Sequence, residues 1–291
     1  MNPTNRRNAL KKIALSGVVL SGTGLNLACA QTSEKQALKG NLKHSVSYWT
    51  YSYLGLEGLC ETIKKIGFNA IDLLGPKDWP TIKAHGVECS MCNGAEISLT
   101  EGFNDPKNHD LLVKNYSEII PLVAEAGFTN LICFSGNRKG MDDETGLKNC
   151  AKGLKKIISL AEKHDVVLHM ELLNSKVDHK DYMCDRSTWG VELCKQVGSE
   201  NFKLLYDIYH MQIDEGDLIR TIRENHQYFG HYHTAGNPGR NEIDDSQEIN
   251  YAAVMKAIAE TGFKGYIGQE FVPKAEDKIA SLEQAIKICD V

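Results

Sequence analysis

The chain has 291 residues, 42% of them hydrophobic and 24% charged, with a formal net charge of −5. This is ordinary globular composition, and its mild acidity gives no electrostatic footprint for a nucleic-acid partner. No apolar run is long enough to span a bilayer in the mature protein.

The first thirty residues read differently from the rest. Arg6-Arg7 precede the weakly apolar run IALSGVVLSGTGLNL, and Ala28-Cys29-Ala30 supplies an A-x-A cleavage pattern. Residues 1–30 are therefore expected to be a signal peptide of the twin-arginine type, which places the mature protein in the periplasm, free of the membrane once the signal is cleaved. The alternative is an amphipathic extension that stays attached. A lipoprotein reading of Cys29 is weaker, because Asn26 stands where that signal wants an aliphatic residue.

Residues 31–291 repeat one rhythm, a short apolar run followed by a helical pattern. The predicted strands are 46–51, 70–74, 87–91, 130–134, 166–172, 203–209, 229–234 and 265–271. The predicted helices are 56–66, 78–84, 108–126, 145–164, 188–197, 217–227, 251–260 and 277–288. Leu154, Ile157, Ile158 and Ala161 recur at helical spacing with lysines on the other face. Three helical runs end at a glycine followed by an aromatic, in KKIGFNAIDLL, AEAGFTNLICF and AETGFKGYIGQ, where glycine is a natural C-cap. Strict alternation implies a parallel sheet with right-handed crossovers. Eight units close most economically as a single α/β domain, an eight-stranded parallel (β/α)8 TIM barrel. The rival, an open doubly wound sheet, lacks a G-x-G-x-x-G after its first strand. Long loops follow strands five (174–187) and seven (236–250), where pocket-lining segments are found.

Four residues near the ends of different strands carry the chemistry. Glu171, Asp207, His233 and Glu270 are separated by 36, 26 and 37 residues, each about one βα unit. In VVLHMELLN, Val167, His169 and Glu171 share one face and Leu168, Met170 and Leu172 the other; the apolar face meets the helices, so Glu171 points into the barrel. The same phasing turns Tyr266, Gly268 and Glu270 inward, and His231 below His233. Inward carboxylates at one end repel one another unless compensated. Lys or Arg neutralisation is one answer, and a divalent cation is the simpler one. This donor set suits Mn²⁺, Mg²⁺ or Co²⁺, with Zn²⁺ as a further candidate. His231 reads as a hydrogen-bonded support rather than a ligand. His210, Arg240 and Lys176 lie on loops within reach of an oxygen-rich substrate, although Arg240 has Glu242 and Asp244 as alternative partners. Trp49, Tyr51 and Tyr53 lie near strand one and can wall the site or fill core. Cys89 and Cys92 form a lone C-x-x-C; opposite-facing positions along a strand make them core thiols rather than a redox or zinc pair.

Residues 200–272, with LLYDIYHMQIDEGDLIRTIREN, GHYHTAGNPGRNE, INYAAVMKAIAETGF and GYIGQEF, resemble the hydroxypyruvate isomerases. The mature chain as a whole is similar to the xylose isomerase-like sugar isomerase/epimerase superfamily, with 40–165 matching in βα rhythm alone. The resemblance implies one divalent ion on Glu171, Asp207, His233 and Glu270, with the two glutamates doubling as acid and base. It also implies substrate contacts from His210 and Arg240. His233 departs from the hydroxypyruvate isomerases, which carry Gln there, and agrees with the ketose 3-epimerases. The expected partner is a small hydroxy-carbonyl or sugar substrate, interconverted through an enediolate. The competing readings are a ketose 3-epimerase, a keto-sugar or inosose dehydratase, and a non-catalytic sugar-binding protein. Monomer or homo-oligomer is left open.

Overall fold

In the computed structural model, the described residues are 37–291, which form one compact unit; the signal-peptide reading falls on residues outside them. The first half of the barrel runs β1 (Lys43–Ser47), α1 (Tyr48–Tyr51), α2 (Gly55–Ile66), β2 (Ala70–Leu74), α3 (Trp79–Ala84), β3 (Glu88–Cys92), α4 (His109–Glu125) and β4 (Asn130–Cys133). Then follow α5 (Asp143–Leu154), α6 (Ile158–Lys163), β5 (Val167–Glu171), α7 (Ser187–Val197), β6 (Phe202–Asp207) and α8 (Ile208–Asp214). The chain closes with α9 (Leu218–Asn225), β7 (Phe229–Thr234), α10 (Tyr251–Glu260), β8 (Tyr266–Gln269) and α11 (Lys278–Cys289). All eight strands pair in parallel in sequence order, and β8 returns to β1, closing the barrel.

Two predicted strands ran on into helices. The segment 46–51 leaves the sheet at Ser47 and turns into α1, and 203–209 stops at Asp207 because that side chain caps α8, accepting from the His210 amide at 3.0 Å. The predicted helix 145–164 is two helices. The chain tightens between them through the i→i+3 bonds Lys156 N to Gly153 O (3.1 Å) and Ile157 N to Leu154 O (3.0 Å). Gly153 marks the break: a Cβ there would lie 2.7 Å from His109 Nε2 and 2.8 Å from the Phe103 ring. Close approach of α4 and its preceding loop thus requires a poor helix former.

Cys89 and Cys92 are buried, but they do not face apart. Their sulfurs are 3.5 Å from each other. The cause is a bulge: Ile71 pairs with Cys89 and Asp72 with Met91, so β3 carries Ser90 as an extra residue and the side-chain alternation slips by one. All eight described cysteines are free and buried, and burial pushes the thiols of Cys194 and Cys289 up to about 12. Iodoacetamide is expected to leave these eight unmodified in the native protein and to label them after unfolding. Mass spectrometry finding ready native labelling of Cys89 or Cys92 would contradict their core placement.

Candidate metal centre

Strand phasing delivers the four predicted residues to one point. Glu171, Asp207, His233 and Glu270 are buried, and each offers a ligand atom within 4.8 Å of the others. They stand at the C-terminal ends of β5, β6, β7 and β8, and the sheet register sets Asp207 beside His233. His233 Nδ1 is 2.9 Å from Glu270 Oε2 and 3.3 Å from Glu171 Oε1, yet it makes no well-formed hydrogen bond. An aromatic nitrogen amid three carboxylates, aimed between its neighbours rather than at one, is the geometry of a ligand atom. Burial by itself lowers the His233 pKa, but Glu270, Asp72 and Glu171 outweigh it and hold it well above the usual histidine range. The position demands positive charge, as a proton or as a metal ion. The residues present therefore fit a divalent cation.

Asp72, in the middle of β2, fixes which nitrogen of His233 faces the cluster. Its Oδ2 accepts from His233 Nε2 at 2.9 Å and from His231 Nε2 at 2.7 Å, and the Ser90 hydroxyl donates to its Oδ1. With Nε2–H committed, Nδ1 is left for the site, the arrangement in which a carboxylate orients a metal-binding imidazole. Burial alone raises the Asp72 carboxyl pKa, and the two histidines reverse this and hold it far below the carboxylate range. Gly268 on β8 makes room for the pair. A Cβ there would sit 2.4 Å from Asp72 Oδ2 and 2.9 Å from His233 Cδ2. His231, deeper on β7, reaches Asp72.

The two glutamates are held unequally. Trp49 Nε1 donates to Glu270 Oε1 at 2.8 Å and Arg240 donates to Oε2 at 2.7 Å. Burial raises the Glu270 pKa, but His233 and Arg240 bring it well below the carboxylate range. Arg240 also lies 3.9 Å from Asp207, and its guanidinium sits over the Trp49 ring at 5.3 Å and the Tyr209 ring at 5.7 Å. Neither Glu242 nor Asp244 is its partner: Glu242 accepts from the amides of Lys274 and Ala275, and Asp244 from Ser246. Neutralisation by arginine and a cation-seeking cluster are therefore both present. Burial pushes Asp207 up to about 7, with Arg240 opposing and Glu270 adding.

His210 is buried at the start of α8. Asn174 Oδ1 accepts from the amides of Val177 and Asp178, so its Nδ2 is the donor to His210 Nδ1 at 2.5 Å. That places the His210 proton on Nε2, which has no partner and lies 3.8 Å from Asp207. Burial and Arg240 lower its pKa well below the usual value, so it is a neutral donor. Lys176 is elsewhere. Its ammonium binds the carbonyls of Ile213 and Asp214 at 2.9 and 2.7 Å, which ties the loop after β5 to α8.

Above the cluster lies a cavity of about 260 Å³ whose polar lining includes Glu171, Glu270, Arg240, His179, Glu96 and Asn93. Trp49, Leu73, Leu99, Ile132, Phe134 and Leu173 supply its apolar walls. A family model described as "Xylose isomerase-like TIM barrel" matches residues 60–289. The chain belongs to that family. A 2-oxo-tetronate isomerase of Cupriavidus necator is 36% identical over 110 residues, 38% of this chain and 42% of that protein. Hydroxypyruvate isomerase of Escherichia coli is 31% identical over 135 residues, 46% and 52% of the two chains. The chain thus matches only about half the length of these relatives. A D-psicose 3-epimerase of Ruminiclostridium cellulolyticum matches more extensively at 23% identity, over 79% of this chain and 83% of its own. The solved structure of an AP endonuclease family 2 protein from Brucella melitensis shares the fold, with a TM-score of 0.72 at 20% identity over 83% of this chain and 97% of that one.

The parts that Asp72, Gly268, Asn174 and His179 play at the site went unread in the sequence. For Asp72 a signal existed, a lone acid in the middle of the apolar strand AIDLL, which only a partner inside the barrel can hold. Strand phasing turned Gly268 inward, but the need for a glycine there gave no signal, because the atoms that it makes room for belong to Asp72 and His233 on other strands.

Proposed function

We propose that this protein is a divalent-metal-dependent isomerase or epimerase that moves a proton on the carbon beside a carbonyl in an α-hydroxy carbonyl compound, with Mn²⁺, Mg²⁺ or Co²⁺ as its ion. The observation that carries the reading is the pair of carboxylates, Glu171 and Glu270, flanking His233 Nδ1 at 3.3 and 2.9 Å and both lining the cavity. A divalent ion on Glu171, Asp207, His233 and Glu270 would supply Lewis-acid polarisation of a substrate oxygen.

The chain's own residues account for the rest. Glu171, hydrogen-bonded to neither Trp49 nor Arg240, takes the C–H proton and leaves an enediolate. Glu270, clamped by Trp49 and Arg240, is the second carboxylate at the cavity and returns a proton. His210 offers Nε2–H to a substrate oxygen, and Arg240 balances developing negative charge. Return of the proton to the neighbouring carbon gives aldose–ketose exchange, the hydroxypyruvate isomerase-like outcome that the names of the Cupriavidus and Escherichia relatives support. Return to the same carbon gives epimerisation, which His233 and the longer match to a D-psicose 3-epimerase favour. We place the reaction in the periplasm on the Arg6-Arg7 and Ala28-Cys29-Ala30 pattern.

Chelation is the direct test of the metal. Dialysis against EDTA is expected to abolish turnover, and Mn²⁺ or Mg²⁺ to restore it, with calorimetry showing one ion bound per chain. Full activity in a protein shown to be metal-free would rule this reading out.

A further inference from the structure

Backbone strain is concentrated at the candidate site. Six described residues other than glycine take a left-handed φ: Leu73, Lys139, Asp165, Asp181, Asp217 and Arg240. Four of these are exposed polar residues in loops, three of them aspartates, which adopt that conformation more readily than most. The two that are not exposed, Leu73 at +63° and Arg240 at +59°, both line the cavity. Arg240 holds Glu270 there. Leu73 is the one apolar member of the six.

Leu73 owes its place to an irregularity in β2. Asp72 pairs with Met91 on β3 and Leu74 with Cys92, so Leu73 is an extra residue in the strand. A bulge residue with a left-handed φ is ordinarily glycine, because a side chain there is strained. The bulge brings two successive side chains to the inner side of the barrel, which regular alternation forbids: Asp72 meets His233, and Leu73 lines the cavity. Asn93 holds the turn from the end of β3, its Nδ2 donating to the Leu73 carbonyl at 3.2 Å. In the closed order of strands β2 stands opposite β6, and the four candidate ligands come from the ends of β5 to β8. Leu73 therefore faces the cluster from the other half of the barrel mouth, with Leu99, Ile132 and Phe134 from the β3 and β4 segments beside it.

We infer that Leu73 is a specificity-determining residue of this site. Its side chain is the stop for the end of the substrate's carbon chain that points away from the ion, so it sets the length of ketose that fits. The cavity is small, about 260 Å³, and one isobutyl group takes a sizeable share of the room. Strain of this kind persists where the surrounding structure imposes it, and it clusters at ligand sites. Here it puts a branched side chain where an unbroken strand would turn it toward the helices. This inference rests on the reading of the cavity as a hydroxy-carbonyl site.

The test compares the metal-loaded full chain with its Leu73→Ala and Leu73→Gly variants on ketoses of increasing length: dihydroxyacetone, erythrulose, ribulose and fructose. Calorimetry reads binding without requiring turnover, and deuterium wash-in beside the carbonyl reads proton transfer. Both variants are expected to shift binding toward the longer ketoses. The ratio of fructose to dihydroxyacetone affinity should rise about tenfold, the low end for a pocket changed by a methylene or more. Leu73→Gly is expected to melt above Leu73→Ala, since glycine takes +63° without strain and alanine does not. The inference is overturned if neither variant moves the ratio, or if the alanine variant melts at or above the glycine one. Weaker Mn²⁺ binding as the sole effect would make Leu73 a spacer for Asp72 and overturn it too. Ketose binding that shifts as expected while no proton washes out would leave Leu73 its role and remove the proton-transfer reading. Wash-in with an unmoved ratio would remove the role of Leu73 alone, and a protein that binds no ketose loses both.

Discussion

Glu171→Gln is expected to lower deuterium exchange at the substrate carbon by about 10²–10⁴-fold, the usual contribution of a positioned general base, and to destabilise the fold less than loss of Glu270 does, because Arg240 is hydrogen-bonded to Glu270. Glutamine keeps the shape and one oxygen, but it cannot take a proton. Glu270→Gln should lose exchange to a similar degree and should also destabilise the fold. Its carboxylate is the 2.7 Å partner of Arg240 and the 2.9 Å neighbour of His233. Removing one member of a buried pair costs roughly 3–5 kcal/mol, and the lower end applies because the Arg240 side chain is 18% exposed. The two variants thus separate a carboxylate that does chemistry from one that also holds the site together. Equal melting temperatures for both, or near-normal exchange in either, would break this division of roles.

Asp72→Asn is expected to weaken divalent-metal affinity by about 10–100-fold, the usual effect of losing a carboxylate that orients a metal-binding histidine. An asparagine can turn its amide toward Ser90 and keep an oxygen on the two histidines, so the geometry survives and the charge is lost. Gly268→Ala acts on the same contact from the other side. Its new Cβ would be 2.4 Å from Asp72 Oδ2, with the buried His233 ring 2.9 Å away, so the carboxylate must move off the imidazoles. Leaving a buried N–H without an acceptor costs about 1–3 kcal/mol, and two are at stake. Competition with a fluorescent chelator measures the first effect and differential scanning calorimetry the second. Unchanged Mn²⁺ affinity in Asp72→Asn would show that Asp72 is core structure alone.

The barrel was legible because it is written in short-range pattern: β2, β7 and α10 fall where alternation and helical period put them. Errors came where one side chain overrides its neighbours. Asp207 ends β6 by capping α8, and the bulge at Ser90 turns Cys92 to the side of Cys89. The cluster of Glu171, Asp207, His233 and Glu270 was legible for the same reason as the barrel, since strand ends in a closed parallel sheet converge. What supports it was not. Asp72 meets His233 across 161 residues of sequence, and the fates of Lys176 and Arg240 turned on which oxygen each loop brought closest. Charge type tells what a residue can bind, and only the closed structure tells which partner it meets.

The central claim is that this site removes a proton from carbon beside a carbonyl with the aid of a bound divalent ion. It is tested most directly by proton NMR in D₂O on the metal-loaded protein with short hydroxy-carbonyl acids and ketoses. The account predicts that the signal of one C–H beside the carbonyl disappears for at least one compound, and that EDTA or Glu171→Gln stops the loss. A folded, metal-bound protein that washes out no such proton from any compound, or exchange that continues at full rate after chelation, would contradict it.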